Sequence, residues 1–252
     1  MDGTEAPSAK SFVRVSEKAA ILRPSRGPWS FPRKALVGKG RAEVCLLEMA
    51  RHDATAYTRL FLEESVRAIN GLSAGSIDAV AEGLAAVRDA GGRLFVLGVG
   101  GSAAHASHAV NDFRKLCAFE AYAPTDNVSE LTARVNDEGW ETTFVRWLEV
   151  SRLGASDALL VFSVGGGSKA QNVSMNLVRA LEHAQAVGAK IFGIVGRDGG
   201  YTASVATACV LVPVVSPEHT TLHTEGLCSV VWHLLVGHPA LKRAPTKWES
   251  IR

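Results

Sequence analysis

Between residues 54 and 92 apolar side chains return every three or four positions. The stretches "YTRLFLEESVRAINGL" (57–72) and "SIDAVAEGLAAVRDAGG" (76–92) each predict an amphipathic helix, the second closed by Gly91 and Gly92. The pattern then changes to the apolar run "LFVL" within a buried strand over 93–98, and back to helical spacing from Ser102 to about Cys117. A loop containing "YAPTDNVSE" leads to a short helix, a break at "NDEGW" (136–140) and an amphipathic helix through "TTFVRWLEVSRL". Beyond residue 157 strands and helices alternate: strand "ALLVFSV", turn "GGGS", helix through "NVSMNLVRALEHAQAVG", strand "KIFGIVG", turn "RDGG", strand "ACVLVPV", and a last helix from about Thr220 to His238. Strands apolar along their whole length, separated by helices, predict a parallel sheet covered on both faces. The fold class is α/β, a three-layer α/β/α sandwich.

The first 48 residues break this regularity. They carry basic residues, four prolines within "MDGTEAPSAKSFVRVSEKAAILRPSRGPWSFPRKALVGKG" and no sustained period, which predicts a disordered extension. It reads as a linker or as sequence upstream of a natural start near Met49; a partner-recruiting tail is the alternative. The expected organisation is an extension over 1–48, one domain over 49–242 and a tail over 243–252.

Composition narrows the function. The 252 residues are 47% apolar and 21% charged, with a formal net charge of +2, so no basic footprint for nucleic acid is expected. No apolar run is long enough to span a membrane. Cys45, Cys117, Cys209 and Cys228 lack CxxC spacing, which fits a reducing compartment and a cytoplasmic, soluble protein acting on a small molecule.

Two corners carry the chemistry. "GVGGS" (98–102) and "SVGGGS" (163–168) both follow a strand and stand before a helix. Glycine lets backbone approach a ligand, N–H groups at a helix start attract an anion, and serine adds a hydroxyl donor. Gly100, Gly101, Ser102, Ser163 and Ser168 are thus candidate phosphate-binding residues. A dinucleotide fold is the competing reading, since residues 98–103 fit G-x-G-x-x-A and Glu120 follows at roughly the distance of a ribose-binding acid.

His108 and Asp112 share a helix face one turn beyond the first corner, and Glu225 and His233 lie two turns apart on the last helix. Two histidines and two carboxylates supply acid–base groups, and they are also a donor set for one divalent ion, zinc. His105 reads as a half-exposed helix residue, and His183, His219, His223 and His238 as surface or cap residues. Trp140, Trp147 and Trp232 are expected to face the core or a subunit contact. Arg197 and Asp198 read as part of a simple turn.

The segments "GVGGSAAHASHAVNDF", "NDEGW", "SVGGGS", "GRDGG" and "HTEGLCSVVWHLL" resemble, in order and spacing over about residues 55–240, the sugar isomerase (SIS) domain in the form found in bacterial phosphoheptose isomerases. The resemblance implies a five-stranded parallel sheet, flavodoxin-like, and a homotetramer whose sites are shared between subunits. It also implies conversion of sedoheptulose 7-phosphate to D-glycero-D-manno-heptose 7-phosphate through an enediol, without a nucleotide cofactor. Ser102, Ser163 and Ser168 match phosphate-binding serines, Asp137 a sugar-contacting residue, and His233 the general acid. Two positions depart from the pattern: Asp112 stands where the general base is usually Glu, and Glu225 where the residue is usually Gln. Glu225 is therefore a candidate base or metal ligand beside Asp112. Val99 replaces a frequent Asn, and the segment after Ser168 is about six residues longer than usual. A non-catalytic SIS protein that binds a phosphosugar or a partner is the alternative function; the combined presence of His108, Asp112, Glu225 and His233 favours catalysis.

Overall fold

A computed structural model describes residues 54–251. The expectation for 1–48 lies outside the described residues. Helices α1 (Ala54–Asn70) and α2 (Ala74–Asp89) come first. The start of α2 is fixed by Ser73, whose hydroxyl accepts the Ser76 N–H at 3.2 Å, and Gly91 turns the chain out of it at φ 76°. Then follow β1 (Leu94–Gly98), α3 (Gly101–Cys117), β2 (Ala121–Tyr122), α4 (Val128–Asp137), α5 (Thr143–Val150), β3 (Ala158–Ser163), α6 (Met175–Val187), β4 (Lys190–Val195), α7 (Gly200–Val205), β5 (Ala208–Leu211), α8 (Thr220–Gly237) and the short α9 (Lys247–Ser250).

The strands form one all-parallel sheet in the order β2-β1-β3-β4-β5. Alternate strand residues feed two cores. Leu94, Val96, Leu160, Phe162 and Ile194 join the apolar sides of α2, α3 and α8, whereas Phe95, Leu97, Leu159, Val161 and Ile191 pack against α5 and α6. Burial on both faces explains why these strands read as unbroken apolar runs. Helix α3, leaving β1, therefore lies on one face and α6, leaving β3, on the other. The neighbouring strands β1 and β3 flank the point where the winding reverses, and an α/β sheet opens its ligand crevice at the carboxyl ends of such strands.

Two elements within the expected domain were not visible in the pattern. The fifth strand, β2, has only two residues, and six residues of the stretch expected to be turn and coil form α7. The loop after Ser168 delays α6 to Met175, later than the expected start. Within the expected tail, the N–H groups of Arg243 and Ala244 both donate to the Leu116 carbonyl. Among the described residues no helix is long and apolar enough to cross a membrane.

Candidate active site

Both glycine corners sit at the switch point, since Gly98 pairs with Phe162 and the two turns leave adjacent strands side by side. At the first corner the backbone leaves no room for side chains. A Cβ on Gly98 would lie 2.3 Å from the Ser102 carbonyl oxygen, and Gly100 adopts φ 63°. Gly100 caps α3 without a side-chain hydrogen bond, so the first-turn N–H groups have no side-chain acceptor and suit an anion. Ser102, in that turn, is buried.

The second corner is braced from behind. Tyr201 and Thr202 at the start of α7 donate backbone N–H groups to the Gly167 and Gly166 carbonyls at 2.8 and 2.9 Å, and the Thr202 hydroxyl adds a bond of 2.7 Å to Gly166. The "GRDGG" segment itself is a turn, its Gly199 N–H donating to the Gly196 carbonyl at 3.0 Å, and the helix it leads into holds the corner in shape. Ser163 Oγ accepts the Gly166 N–H at 3.0 Å, and Ser168 Oγ accepts the Gln171 N–H at 3.2 Å. Each hydroxyl keeps its own proton to donate to an oxyanion. Ser168 also pairs with Val173, which closes the longer loop into a small ring.

Helix α8 packs along α3 and brings its side chains to the corners. One donor atom each of His108, Asp112 and His233 lies within 4.8 Å of the others. His108 Nε2 is 3.7 Å from Asp112 Oδ2, and Asn111 donates to Asp112 Oδ1 at 2.8 Å. His233 Nδ1 lies 2.7 Å from the Ser229 carbonyl, which can only accept, so Nδ1 is the donor there and Nε2 is the nitrogen left for a ligand or substrate. A ring so oriented by a backbone carbonyl is the usual support of a metal-bound or proton-transferring histidine. Trp232, fully buried, stacks on His233 at 3.5 Å and meets His108 edge-on at 4.7 Å. Two imidazoles and a carboxylate suit a zinc-class ion.

Glu225 stands apart from that group. Its two carboxylate oxygens lie 2.8 Å from where a Cβ on Gly101 would be, so it faces the first corner across a glycine that alone admits it. Beside it, a groove of ≈ 510 Å³ is lined by Tyr57, Phe61, His105, Leu222 and Glu225 among others. Asp137 ends α4, exposed, its carboxylate accepting from the Asn136 side chain at 2.7 Å.

Other expectations need correction. His223 is buried rather than a surface or cap residue, because Glu64 of α1 reaches it; His219 shares that carboxylate. Glu64 carried no sequence signal, whereas the four-residue spacing of His219 and His223 was one. Of the tryptophans expected in the core or a subunit contact, Trp232 is in the core and Trp140 is 43% exposed. Glu120, the ribose-binding candidate, precedes β2, and its carbonyl accepts from Leu94 at the start of β1. It lies at the end of the sheet opposite the corners and cannot serve a ligand held there.

Comparison with known proteins places these features in a family. Residues 60–196 match the model of the SIS domain. A phosphoheptose isomerase of Akkermansia muciniphila is 38% identical over 171 residues, covering 66% of this chain and 82% of the relative. One from Geotalea daltonii is 38% identical over 165 residues, covering 63% and 80%. Among solved structures, phosphoheptose isomerase GmhA from Neisseria gonorrhoeae superposes with a TM-score of 0.63 at 25% identity, covering 73% of this chain and 97% of that one.

Proposed function

The chain belongs to the SIS domain family, and from that premise we propose that it is a sugar-phosphate isomerase converting sedoheptulose 7-phosphate to D-glycero-D-manno-heptose 7-phosphate. The observation that carries this reading is Glu225 of α8 facing the first of two phosphate-type corners on adjacent strands, on the same helix that joins His233 to His108 and Asp112 of α3. The names of the relatives supply the heptose.

Isomerisation moves a proton between adjacent carbons through an enediol, which takes a base above the carbon and an acid for the oxygen. Gly100, Gly101, Ser102, Ser163 and Ser168 anchor the phosphate, and Asp137 contacts the sugar. Glu225 is the base: it faces the first corner, and no hydrogen bond from the described residues engages its carboxylate. His233, its Nδ1–H held by the Ser229 carbonyl, acts as the acid in its imidazolium form, passing the Nε2 proton to a substrate oxygen and recovering it when the enediol collapses. His108, Asp112 and His233 would hold a zinc ion. Bound there, zinc would act as a Lewis acid toward sugar oxygens. His233 Nε2 cannot bind an ion and move a proton at once, so metal dependence discriminates between its two roles. The reading includes a homotetramer acting in the cytoplasm. Cys117, Cys209 and Cys228 are unpaired, and burial pushes the Cys117 and Cys209 thiols up to about 11, keeping them in the protonated form.

The test is incubation with sedoheptulose 7-phosphate in deuterated water, with and without zinc, followed by NMR. Deuterium at C2 of a new aldose phosphate is expected. Binding without exchange would instead assign the chain to phosphosugar-binding proteins or to another ketose phosphate.

A further inference from the structure

The first turn of α8 carries a second cluster, which the isomerase chemistry leaves unused. His219 and His223 are four residues apart, so both rings stand on one face of the chain as it enters the helix. Glu64 of α1 reaches between them, its Oε2 lying 2.7 Å from His219 Nδ1 and 2.9 Å from His223 Nε2. The side chains of Glu64 and His223 are only 6% and 4% exposed, and that of His219 18%. A carboxylate at that depth requires compensation. Arg67 comes no nearer than 4.0 Å to its other oxygen and is mostly in water. The hydrogen bonds from His223, then His219, hold the Glu64 carboxyl below its ordinary value against the opposing effect of burial. Aromatic rings close the surroundings: Phe61 stacks on His223 at 4.5 Å, and Tyr57 meets His219 edge-on at 5.7 Å.

We propose that Glu64, His219 and His223 form a second metal site, separate from His108, Asp112 and His233, for a divalent transition ion of the zinc class. The three donor atoms lie within 4.8 Å of one another, and small rotations of the two rings bring them to the roughly 3.4 Å separation that a tetrahedral ion bound at about 2.1 Å needs, the ion replacing the protons now shared with Glu64. Two imidazoles with one carboxylate favour zinc and its neighbours over magnesium or calcium, which take oxygen ligands. The aromatic walls fix the rings and limit water, as the outer shell of a metal site does, and half-buried His219 gives the ion its entry. Ten residues separate His223 from His233, about 15 Å along the helix axis, so one ion cannot serve both groups. An ion here staples α1 to the helix that carries Glu225 and His233.

The experiment measures zinc per chain by mass spectrometry after saturation and desalting of the full chain. Wild type is compared with the triple variant His108→Ala, Asp112→Ala, His233→Ala, which leaves the second cluster intact. The expected result is a fall from two ions to one, and loss of the last when His223→Ala is added. Zinc should also raise the melting temperature of the triple variant by about 5 °C. Because His223 is buried, His219→Ala in the same background provides the second check and should abolish both the ion and the shift. A folded triple variant that retains no zinc and shows no thermal shift overturns the proposal, leaving a hydrogen-bonded cluster only. Retention of the remaining ion after Glu64→Gln, His219→Ala and His223→Ala together overturns it equally. Neither readout depends on turnover, so failure of the isomerase assignment would leave this result standing.

Discussion

Asp112 and Glu225 are the two carboxylates of the candidate site, but their surroundings ask different things of them. Asp112 accepts from Asn111 on one oxygen, and its other oxygen lies 3.7 Å from His108 Nε2, with which it shares the candidate metal group. Glu225 points at the phosphate corner across Gly101. A carboxylate already engaged is the poorer base, so Glu225→Gln is expected to slow deuterium exchange into the sugar by about 10²- to 10⁴-fold. Asp112→Asn should act chiefly on zinc retention at the His108 group. NMR exchange rates and metal content of the two variants check this together; full exchange in Glu225→Gln with none in Asp112→Asn would return the base to Asp112. The sequence exposed these residues because helical spacing alone aligns His108 with Asp112. It did not expose Glu64, whose partner His223 lies 159 positions away. A histidine's burial depends on what packs over it, and four-residue spacing says nothing of that.

At the scale of elements, the strands that could be read were those with at least four consecutive apolar-rich residues. β2 was invisible because two residues make no run, and α7 because six residues hold too few turns for a period. Both matter to the site, α7 most, since its N-terminus braces the second corner. The opposite end of the sheet is fixed by a polar clamp. Asp157, 3% exposed, accepts from the backbone N–H groups of Arg93 and Gly154 at 2.9 and 3.0 Å and pairs with the Arg93 guanidinium at 2.7 Å. This joins the starts of β1 and β3, the pair whose far ends form the corners. Burial pushes the Asp157 carboxyl up, but these donors together outweigh it and hold the value below the ordinary 3.8. A lowered folded value means stability present at neutral pH, which begins to fall near that ordinary value and is lost as pH drops through the folded one. Asp157→Asn should cost about 2–3 kcal/mol at pH 7, because Arg93 loses its partner but stays partly in water. Urea melts from pH 7 to pH 3 should show the variant with a shallower acid slope than wild type; equal slopes would remove Asp157 from the account.

For the whole molecule, the surface is the informative part. Tyr57, Leu60, Leu62, Val66 and Ile69 on α1 are 45–60% exposed, and Leu222, Val230 and Leu234 add apolar surface along α8. Scattered apolar residues need no explanation, but this many on two adjoining helices indicate a contact surface. The proposed isomerase chemistry would gain from one as well. The His108 side chain is 57% exposed, and an enediol needs shelter from water that an isolated chain does not give it. The apolar period could not separate core from interface beforehand, since both bury the same kinds of side chain; Trp140 shows the ambiguity, expected in a core or a contact and found 43% exposed. A second copy on the α1 and α8 surface would satisfy both requirements at once. Leu62→Glu with Val66→Glu should therefore reduce the assembly in light scattering and lower isomerase activity in step, while circular dichroism stays unchanged because neither side chain supports the core. Activity that tracks the assembled fraction as protein is diluted would tie catalysis to the neighbour. A fully active monomer would mean that the crevice is complete within one chain, and that its shelter must come from closure over the sugar itself.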